Sequence, residues 1–136
     1  MMNTQTRTFP KKEHLCGKIR IDRLFATNFS FVHYPLRVLF SIEIEATPYI
    51  PARILITVPK KHFKKAVDRN AVKRQLREAY RIQKSTLIDY LTIEKKAISL
   101  AFVYLSAERM NSEKASEIIE GCIQTTIKRM QKAEKK

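Results

Sequence analysis

Apolar residues recur along the chain with spacings that are typical of strands in some segments and of helices in others. In residues 36–45, the apolar side chains of Val38, Phe40 and Ile42 alternate with polar ones, as in a half-buried strand. Residues 97–106 are almost uninterruptedly apolar, which indicates a fully buried strand. Together with two shorter segments, the pattern predicts strands at 29–34, 36–45, 53–58 and 97–106.

Helical spacing appears in three other segments, at 18–26, 66–83 and 112–130. In the middle one, Val72, Leu76 and Tyr80 fall with Ala79 within an arc of about 100°, the width of a face that packs on a core. Asp68 or Asn70 is expected to open this helix, and Asn111 or Ser112 is expected to cap the last one.

The order helix, strands, helix, strand, helix predicts an α/β or α+β two-layer sandwich, in which a small central sheet carries packed helices. The chain of 136 residues is long enough for one core and contains only two glycines, so we expect a single domain over residues 1–136. Residues 47–51 are the predicted turn before the third strand. Residues 1–10 and 132–136 are expected to be disordered.

Charge is concentrated in residues 60–84, which hold ten Lys or Arg residues but only two acidic ones, Asp68 and Glu78. This segment therefore supplies more than half of the net charge of +14. Such patterned charge indicates a polyanionic partner.

The cations of the middle helix are also sorted around its circumference. Gln75, Glu78 and Asp68 lie on the opposite flank from the cations, so the usual alternation of signs along a solvated helix is missing. An anion outside the fold would offset the repulsion between the like charges on this flank. We therefore favour the interpretation that the flank binds a nucleic acid. The residues of this flank, which we call the basic stripe, are Asn70, Lys73, Arg74, Arg77 and Arg81.

Three other interpretations of the basic helix remain open at this point. It could be an ordinary solvated helix, or a membrane-surface helix, although its apolar face lacks the Trp, Phe and Leu content that membrane binding requires. A DNA-binding helix-turn-helix unit needs a helix three or four residues upstream, where a strand and the loop 59–65 are predicted instead.

Residues 66–81, AVDRNAVKRQLREAYR, resemble the signature of the bacterial ribonuclease P protein component, whose pattern is Ala-Val-x-Arg-Asn-x-x-Lys-Arg-x-x-Arg-Glu. The preceding Val58, Pro59, Lys60 and Lys61 are similar to the end of the family's strand, Val-Ser-Lys-Lys. The resemblance is specific from about residue 53 to residue 81. Two departures stand out: Pro59 replaces the Ser, and the loop 62–65 lacks the family's Gly, so a glycine-dependent backbone conformation is not expected there.

The resemblance implies that the chain is the protein subunit of ribonuclease P, a ribonucleoprotein endonuclease. In the family, an RNA subunit uses magnesium to remove the 5′ leader of precursor tRNA, while the protein binds both RNAs. The family also has a left-handed crossover between its parallel strands, which we expect here against the general preference for right-handed ones. The residues that would bind RNA are Lys60, Lys61, Arg69, Asn70, Lys73, Arg74, Arg77 and Arg81.

The family further binds the single-stranded leader in a central cleft between its first helix and the sheet. Here the matching positions are Ile21, Phe25 and Phe40. Exposed aromatic rings in a basic groove suit stacking on unpaired bases, whereas the spacing of Phe25 and Phe40 also fits an ordinary core.

The chain itself has few residues suited to catalysis. Its acidic residues are scattered, and His14, His33 and His62 have no acidic partner at a useful spacing, so structural roles are expected for them. The resemblance implies that magnesium is held mainly by the RNA subunit and the substrate, and that none is bound by the protein alone. Glu78 is expected to pair with a neighbour on its helix.

Cysteine usage and hydropathy indicate a cytoplasmic protein. Cys16 and Cys122 are far apart in sequence and form no Cys-x-x-Cys pair, so neither a disulfide nor a zinc site is expected. Cys122 is predicted to be a core residue. The longest apolar segment is far shorter than a membrane span. The main alternative function is a general RNA-binding or ribosome-associated domain, which would show no preference for precursor over mature tRNA.

Overall fold

The computed structural model of the chain describes residues 13–15, 17–26, 29–43 and 50–134. The predicted order of helices and strands is confirmed, while most of the turn at 47–51 lies outside the described residues. The elements are α1 (Lys18–Phe25), β1 (Ser30–His33), β2 (Leu36–Glu43), β3 (Ala52–Thr57), α2 (Ala66–Glu94), β4 (Ala97–Tyr104) and α3 (Ser112–Glu134).

The four strands form one mixed sheet in the order β1-β2-β4-β3. β2 pairs antiparallel with both β1 and β4, whereas β3 runs parallel to β4 and is joined to it by α2. At the centre of the sheet, Leu100 of β4 lies between Phe40 and Ile54. The α+β class with three helices and a small central sheet is confirmed, and the left-handedness of the crossover stays a prediction.

Strand alternation divides the apolar side chains between the two faces of the sheet. Val38 and Phe40 face the main core, which α2 and α3 cover, and the predicted buried face of α2 is confirmed there. On the other face, Leu39 and Ala101 pack with Leu24 of α1 and with Leu15. The short helix α1 therefore covers part of the face opposite to α2.

The free edge of β3 is covered by the segment that precedes α1. His14 forms a parallel bridge with Ile54, and the Leu15 N–H donates to the Ile54 carbonyl at 2.8 Å. Next to this bridge, the Lys84 ammonium contacts the Glu13 carboxylate at 2.6 Å, and Lys84 is only 2% exposed. A sheet edge that is paired and pinned in this way is protected from edge-to-edge association.

The ends of the helices differ from the predicted ones in three places. α2 begins at Ala66 with Lys65 as its cap and no side-chain hydrogen bond, so the prediction that Asp68 or Asn70 opens it is wrong. It also continues past 83 to Glu94, because Leu87 and Leu91 extend its buried face. α3 runs to Glu134, so the prediction of disorder from 132 onwards is wrong for its first three residues.

The cap of α3 agrees with the sequence. The Asn111 side chain accepts a hydrogen bond from the Lys114 N–H at 2.8 Å, as predicted. Further along this helix, Cys122 is fully buried, and burial raises the pKa of its thiol to about 12. Its predicted role in the core is confirmed, while Cys16 lies outside the described residues.

We expect Gly121→Ala to destabilise the protein, because α3 approaches β1 closely at this glycine. A Cβ atom there would lie 2.5 Å from Cε1 and 2.7 Å from Nε2 of the His33 ring. The overlap should outweigh the gain of up to about 1 kcal/mol in helix propensity and leave a loss of about 1–2 kcal/mol, measured by urea denaturation. In a His33→Ala background the same substitution should become stabilising. Equal effects in both backgrounds would show that the imidazole moves aside freely.

Candidate nucleic-acid interface

The basic stripe lies along the N-terminal half of α2, beside its buried face. Asn70, Arg74 and Arg77 are exposed, and Lys73 is half-buried. Within the described part of the chain, none of these four side chains has a hydrogen bond or ion pair. Their polar groups are therefore available to an external anion.

Arg81, at the far end of the stripe, differs from the other four residues. It donates from Nε and Nη2 to the two carboxylate oxygens of Glu78, at 3.1 and 2.5 Å. This hydrogen-bonded pair lowers the pKa of Glu78 and raises that of Arg81. The predicted pairing of Glu78 with a helix neighbour is confirmed, and Arg81 is the stripe residue whose charge is already compensated.

Lys84 lies in line with the stripe, three residues beyond Arg81, but it is buried in the folded chain. Its ammonium is buried against Glu13, as described above. Two carboxylates, one from the helix itself and one from the segment before α1, thus leave uncompensated positive charge only in the first half of α2.

Immediately before α2, the loop 58–65 adds four lysines to the same end of the helix. All four are exposed, and no acceptor contacts them among the residues that the structure describes. Only Lys95 and Gly17 have positive φ in the described backbone, so this loop forms without the glycine conformation, as the sequence predicts. We call it the lysine loop after Lys60, Lys61, Lys64 and Lys65.

Two contacts hold the lysine loop in place. Phe63 is buried, and its ring lies 6.0 Å from that of Tyr104. From the first turn of α2, Arg69 donates through Nη1 to the carbonyls of Phe63 and Lys64, at 2.9 and 3.1 Å. Arg69 was predicted to bind RNA. The structure shows that its guanidinium also holds the lysine loop, a role that the motif does not indicate.

Two glutamines of α2 outside the stripe form hydrogen bonds with the segment that follows β4. Gln75 donates to the Met110 carbonyl at 2.6 Å, and Gln83 donates to the Ser116 hydroxyl of α3 at 2.7 Å. Gln75 therefore stabilises the fold, and a substitution there would disturb more than the charge of one flank.

The three residues of the predicted leader cleft lie on opposite faces of the sheet. Phe40 is 0% exposed and stacks on Phe29 with ring centroids 5.1 Å apart, so the prediction that its ring lines a cleft is wrong. The reason is that successive side chains of a strand point to opposite faces of the sheet. Phe40 therefore lies on the face covered by α2 and α3, while Leu39 and Ser41 lie on the face of α1.

The other two cleft residues lie on α1. Ile21 is half-buried against the small apolar cluster, whereas the ring of Phe25 is 47% exposed. On the same face of the sheet, Val32 of β1 and Arg37 of β2 are a cross-strand pair, and both are exposed. Sequence reasoning missed this pair, although strand alternation could have placed Arg37 on the face opposite to Phe40.

The described residues contain neither a metal-ligand cluster nor a membrane-spanning helix. Nowhere in them do three His, Cys, Asp or Glu side chains come close enough together to hold a metal ion. None of the helices in these residues has the length and apolar character to cross a membrane.

Comparison with known proteins relates the chain to one family. A family model described as Ribonuclease P matches residues 9–130. The ribonuclease P protein component of Porphyromonas gingivalis is 37% identical over 108 residues, which cover 79% of this chain and 78% of that protein. The ribonuclease P protein component of Chlorobaculum tepidum is 37% identical over 106 residues, covering 74% and 69% of the two chains.

The fold has a counterpart among solved structures. The RNase P protein of Staphylococcus aureus superposes with a TM-score of 0.64 at 19% identity, over 84% of this chain and 94% of that one. At this identity the likeness supports the fold, and the sequence matches support the family. The chain belongs to the ribonuclease P family, and its role is that of the protein component of this tRNA-processing endoribonuclease.

Proposed function

We propose that the protein binds the RNA subunit of ribonuclease P and precursor tRNA, and that it promotes removal of the 5′ leader by the RNA. The observation that carries this proposal is the group of uncompensated cations at one end of α2. These cations belong to the lysine loop and to Lys73, Arg74 and Arg77 of the basic stripe. They form one positive surface next to the helix N-terminus, where the helix dipole adds to the attraction for phosphate.

This surface acts by neutralising charge, without chemistry of its own. Two RNA molecules repel each other through their phosphates, and a cationic protein between them lowers that repulsion and releases counterions. Arginine side chains such as those of Arg74 and Arg77 can also bind a phosphate through two parallel hydrogen bonds, which orients the RNA on the helix.

The carboxylates of the described residues are poorly suited to hold catalytic magnesium. Glu13 contacts Lys84, Glu78 contacts Arg81, and Glu43 accepts a hydrogen bond from Ser99 at 2.9 Å. Since the acidic side chains of the described residues form no cluster that could hold a metal ion, we propose that the RNA subunit and the substrate hold the magnesium ions. Hydrolysis of the phosphodiester at the end of the leader then takes place on the RNA.

The experiment that tests the proposed function is a cleavage assay at low magnesium. Purified protein is mixed with a bacterial ribonuclease P RNA and a precursor tRNA, and removal of the 5′ leader is followed with and without protein. We expect stimulation by the protein and no cleavage by the protein alone. Absence of stimulation would contradict the proposed function, and binding that does not distinguish precursor from mature tRNA would favour a general RNA-binding domain.

We further propose that the 5′ leader crosses the face of the sheet that carries α1, where Phe25, Val32 and Arg37 are exposed beside Ile21. Phe25→Leu should weaken binding of a precursor with a leader of several nucleotides by roughly tenfold, because base stacking contributes about 1–3 kcal/mol. Binding of mature tRNA should be unchanged, as measured by filter binding. Phe40→Leu is the matched control, since it should lower the melting temperature and leave the precursor-to-mature ratio unchanged. An unchanged ratio for Phe25→Leu would remove this ring from the leader path.

Arg69→Lys should separate the positioning role of this residue from its charge. The substitution keeps the positive charge but removes the guanidinium that donates to the two loop carbonyls. The lysine loop is then less ordered in the free protein and must become ordered when RNA binds. We expect RNA affinity to fall roughly fivefold, for an ordering cost of about 1 kcal/mol, with an unchanged salt dependence. Amide hydrogen exchange in residues 60–65 should become faster. Unchanged exchange would show that Arg69 does not hold the loop.

A further inference from the structure

A cavity of about 510 Å³ lies between the turn that joins β1 to β2, the loop 105–111 and the first turns of α3. Its size is within the range of small-ligand sites. The cavity is separate from the basic stripe and from the face that carries α1. Side chains that line it include Tyr34, Tyr104, Glu108, Arg109, Asn111 and Lys114.

Hydrogen bonds hold the walls of this cavity. The Tyr104 hydroxyl donates to the Glu108 carbonyl at 2.5 Å, and the Glu108 N–H donates to the Ser106 hydroxyl oxygen at 2.9 Å. On the other side, the Leu105 N–H donates to the Pro35 carbonyl at 2.7 Å, which ties the loop to the β1–β2 turn. The cavity is therefore formed before any ligand arrives.

The groups that line the cavity are of three chemical kinds. Tyr34 is 68% exposed and offers an open aromatic ring. Arg109 and Lys114 are exposed cations with no hydrogen bond or ion pair from their side chains in the described residues. Glu108 supplies a carboxylate near Tyr104, whose pKa is raised mainly by burial and also by Tyr34 and Glu108. A ring, two cations and one carboxylate match the base, the phosphate and the hydrogen-bond donors of a nucleotide.

The position of the cavity connects it to the candidate RNA interface. The ring of Tyr104 contacts Phe63 of the lysine loop, and Met110, which also lines the cavity, accepts the hydrogen bond from Gln75 of α2. The wall of the cavity and the lysine loop are therefore joined in the core through Tyr104 and Phe63.

We propose that this cavity binds one unpaired nucleotide of the RNA partner, with the base stacked on Tyr34 and a phosphate held by Arg109 and Lys114. The Glu108 carboxylate then accepts hydrogen bonds from the base edge. Guanine offers two adjacent donors, N1–H and the N2 amino group, so guanine is the preferred base and uracil, which has a single donor, binds less well. This inference rests on the proposed function only in taking RNA as the partner.

A titration followed by NMR amide shifts tests the cavity without the ribonuclease P RNA. The probes are guanosine 5′-monophosphate, uridine 5′-monophosphate and inorganic phosphate, added to the full chain. We expect saturable shifts in residues 104–118 with the guanosine nucleotide, weaker ones with the uridine nucleotide and weaker still with phosphate. Tyr34→Leu should reduce the affinity for the guanosine nucleotide by about tenfold, as expected for loss of one stacking contact.

Control variants make the result specific to the cavity. Lys132→Gln, on the C-terminal turn of α3, should bind the guanosine nucleotide as the native chain does. Since Tyr34 is exposed, its variant should keep the native melting temperature. Shifts confined to α2, equal affinity for phosphate and nucleotide, or an unchanged affinity of Tyr34→Leu would each overturn the proposal.

The titration tests the nucleotide site, and the cleavage assay tests the proposed function, so each proposal can be wrong while the other holds. If the cleavage assay shows stimulation but the cavity binds no nucleotide, this inference is wrong and the proposed function remains. If the cavity binds the nucleotide but ribonuclease P RNA is not stimulated, the proposed function is wrong and the nucleotide site remains.

Discussion

Replacement of Lys73, Arg74 and Arg77 together by glutamine is expected to weaken binding of ribonuclease P RNA on the order of 100-fold at about 0.1 M salt. Each lost phosphate contact removes about 0.7–0.9 from the slope of log affinity against log salt concentration, so three contacts remove more than two from that slope. Filter-binding titrations at several salt concentrations measure both quantities. Folding should survive, because these side chains make no hydrogen bond or ion pair with the part of the chain that the structure describes.

A second triple variant controls for total charge. Lys95→Asn, Lys128→Gln and Lys132→Gln together remove the same three charges from exposed positions away from the stripe. Asparagine suits position 95 because Lys95 ends α2 with φ of 56°, a conformation that asparagine adopts readily. We expect at most a severalfold loss of affinity from this variant. Equal losses from both variants would mean that net charge, rather than the stripe, binds the RNA.

Glu13→Ala is expected to lower the free energy of unfolding by about 3 kcal/mol, because it leaves the ammonium of Lys84 buried without a partner. The same change removes the anchor of the segment that pairs with Ile54 and covers the edge of β3. Thermal and urea denaturation measure the loss, which corresponds to a fall in melting temperature of roughly 10 °C for a chain of this size.

Two variants test whether the buried charge causes this loss. Glu117→Ala removes an exposed carboxylate from α3 and should leave stability within about 0.5 kcal/mol of the native value. The double variant Glu13→Ala with Lys84→Met should regain most of the stability, since it replaces the orphaned charge with an apolar side chain of similar length. Failure of this rescue would assign the loss to the uncovered strand edge instead.

The positions of the helices and strands could be predicted well from the sequence because each rests on local periodicity. The face formed by Val72, Leu76 and Tyr80 follows from 3.6 residues per turn and is buried whatever it packs against. The basic stripe follows from the same geometry, since cations beside that face must lie at the surface. Motif and stripe together were enough to indicate an RNA partner.

Contacts between distant segments could not be predicted in this way. Alternation places Phe40 and Val38 on one face of β2, but only the packing of α2 and α3 decides that this face is the core and that the opposite one carries α1. For the same reason, no local pattern shows that Glu13 buries Lys84 across 71 positions of sequence. Pairings of this kind depend on where the chain returns in space.

The sequence by itself therefore determined the elements, the sorting of charge around α2 and the family, because these depend on spacing within one segment. The tertiary structure decided which of the sorted cations remain free. Arg81 is compensated within its own helix, Lys84 is neutralised by a distant carboxylate, and Arg69 is partly used to hold the lysine loop. A charge becomes available to RNA only where folding brings no acceptor within hydrogen-bonding distance, and that is a property of the assembled fold.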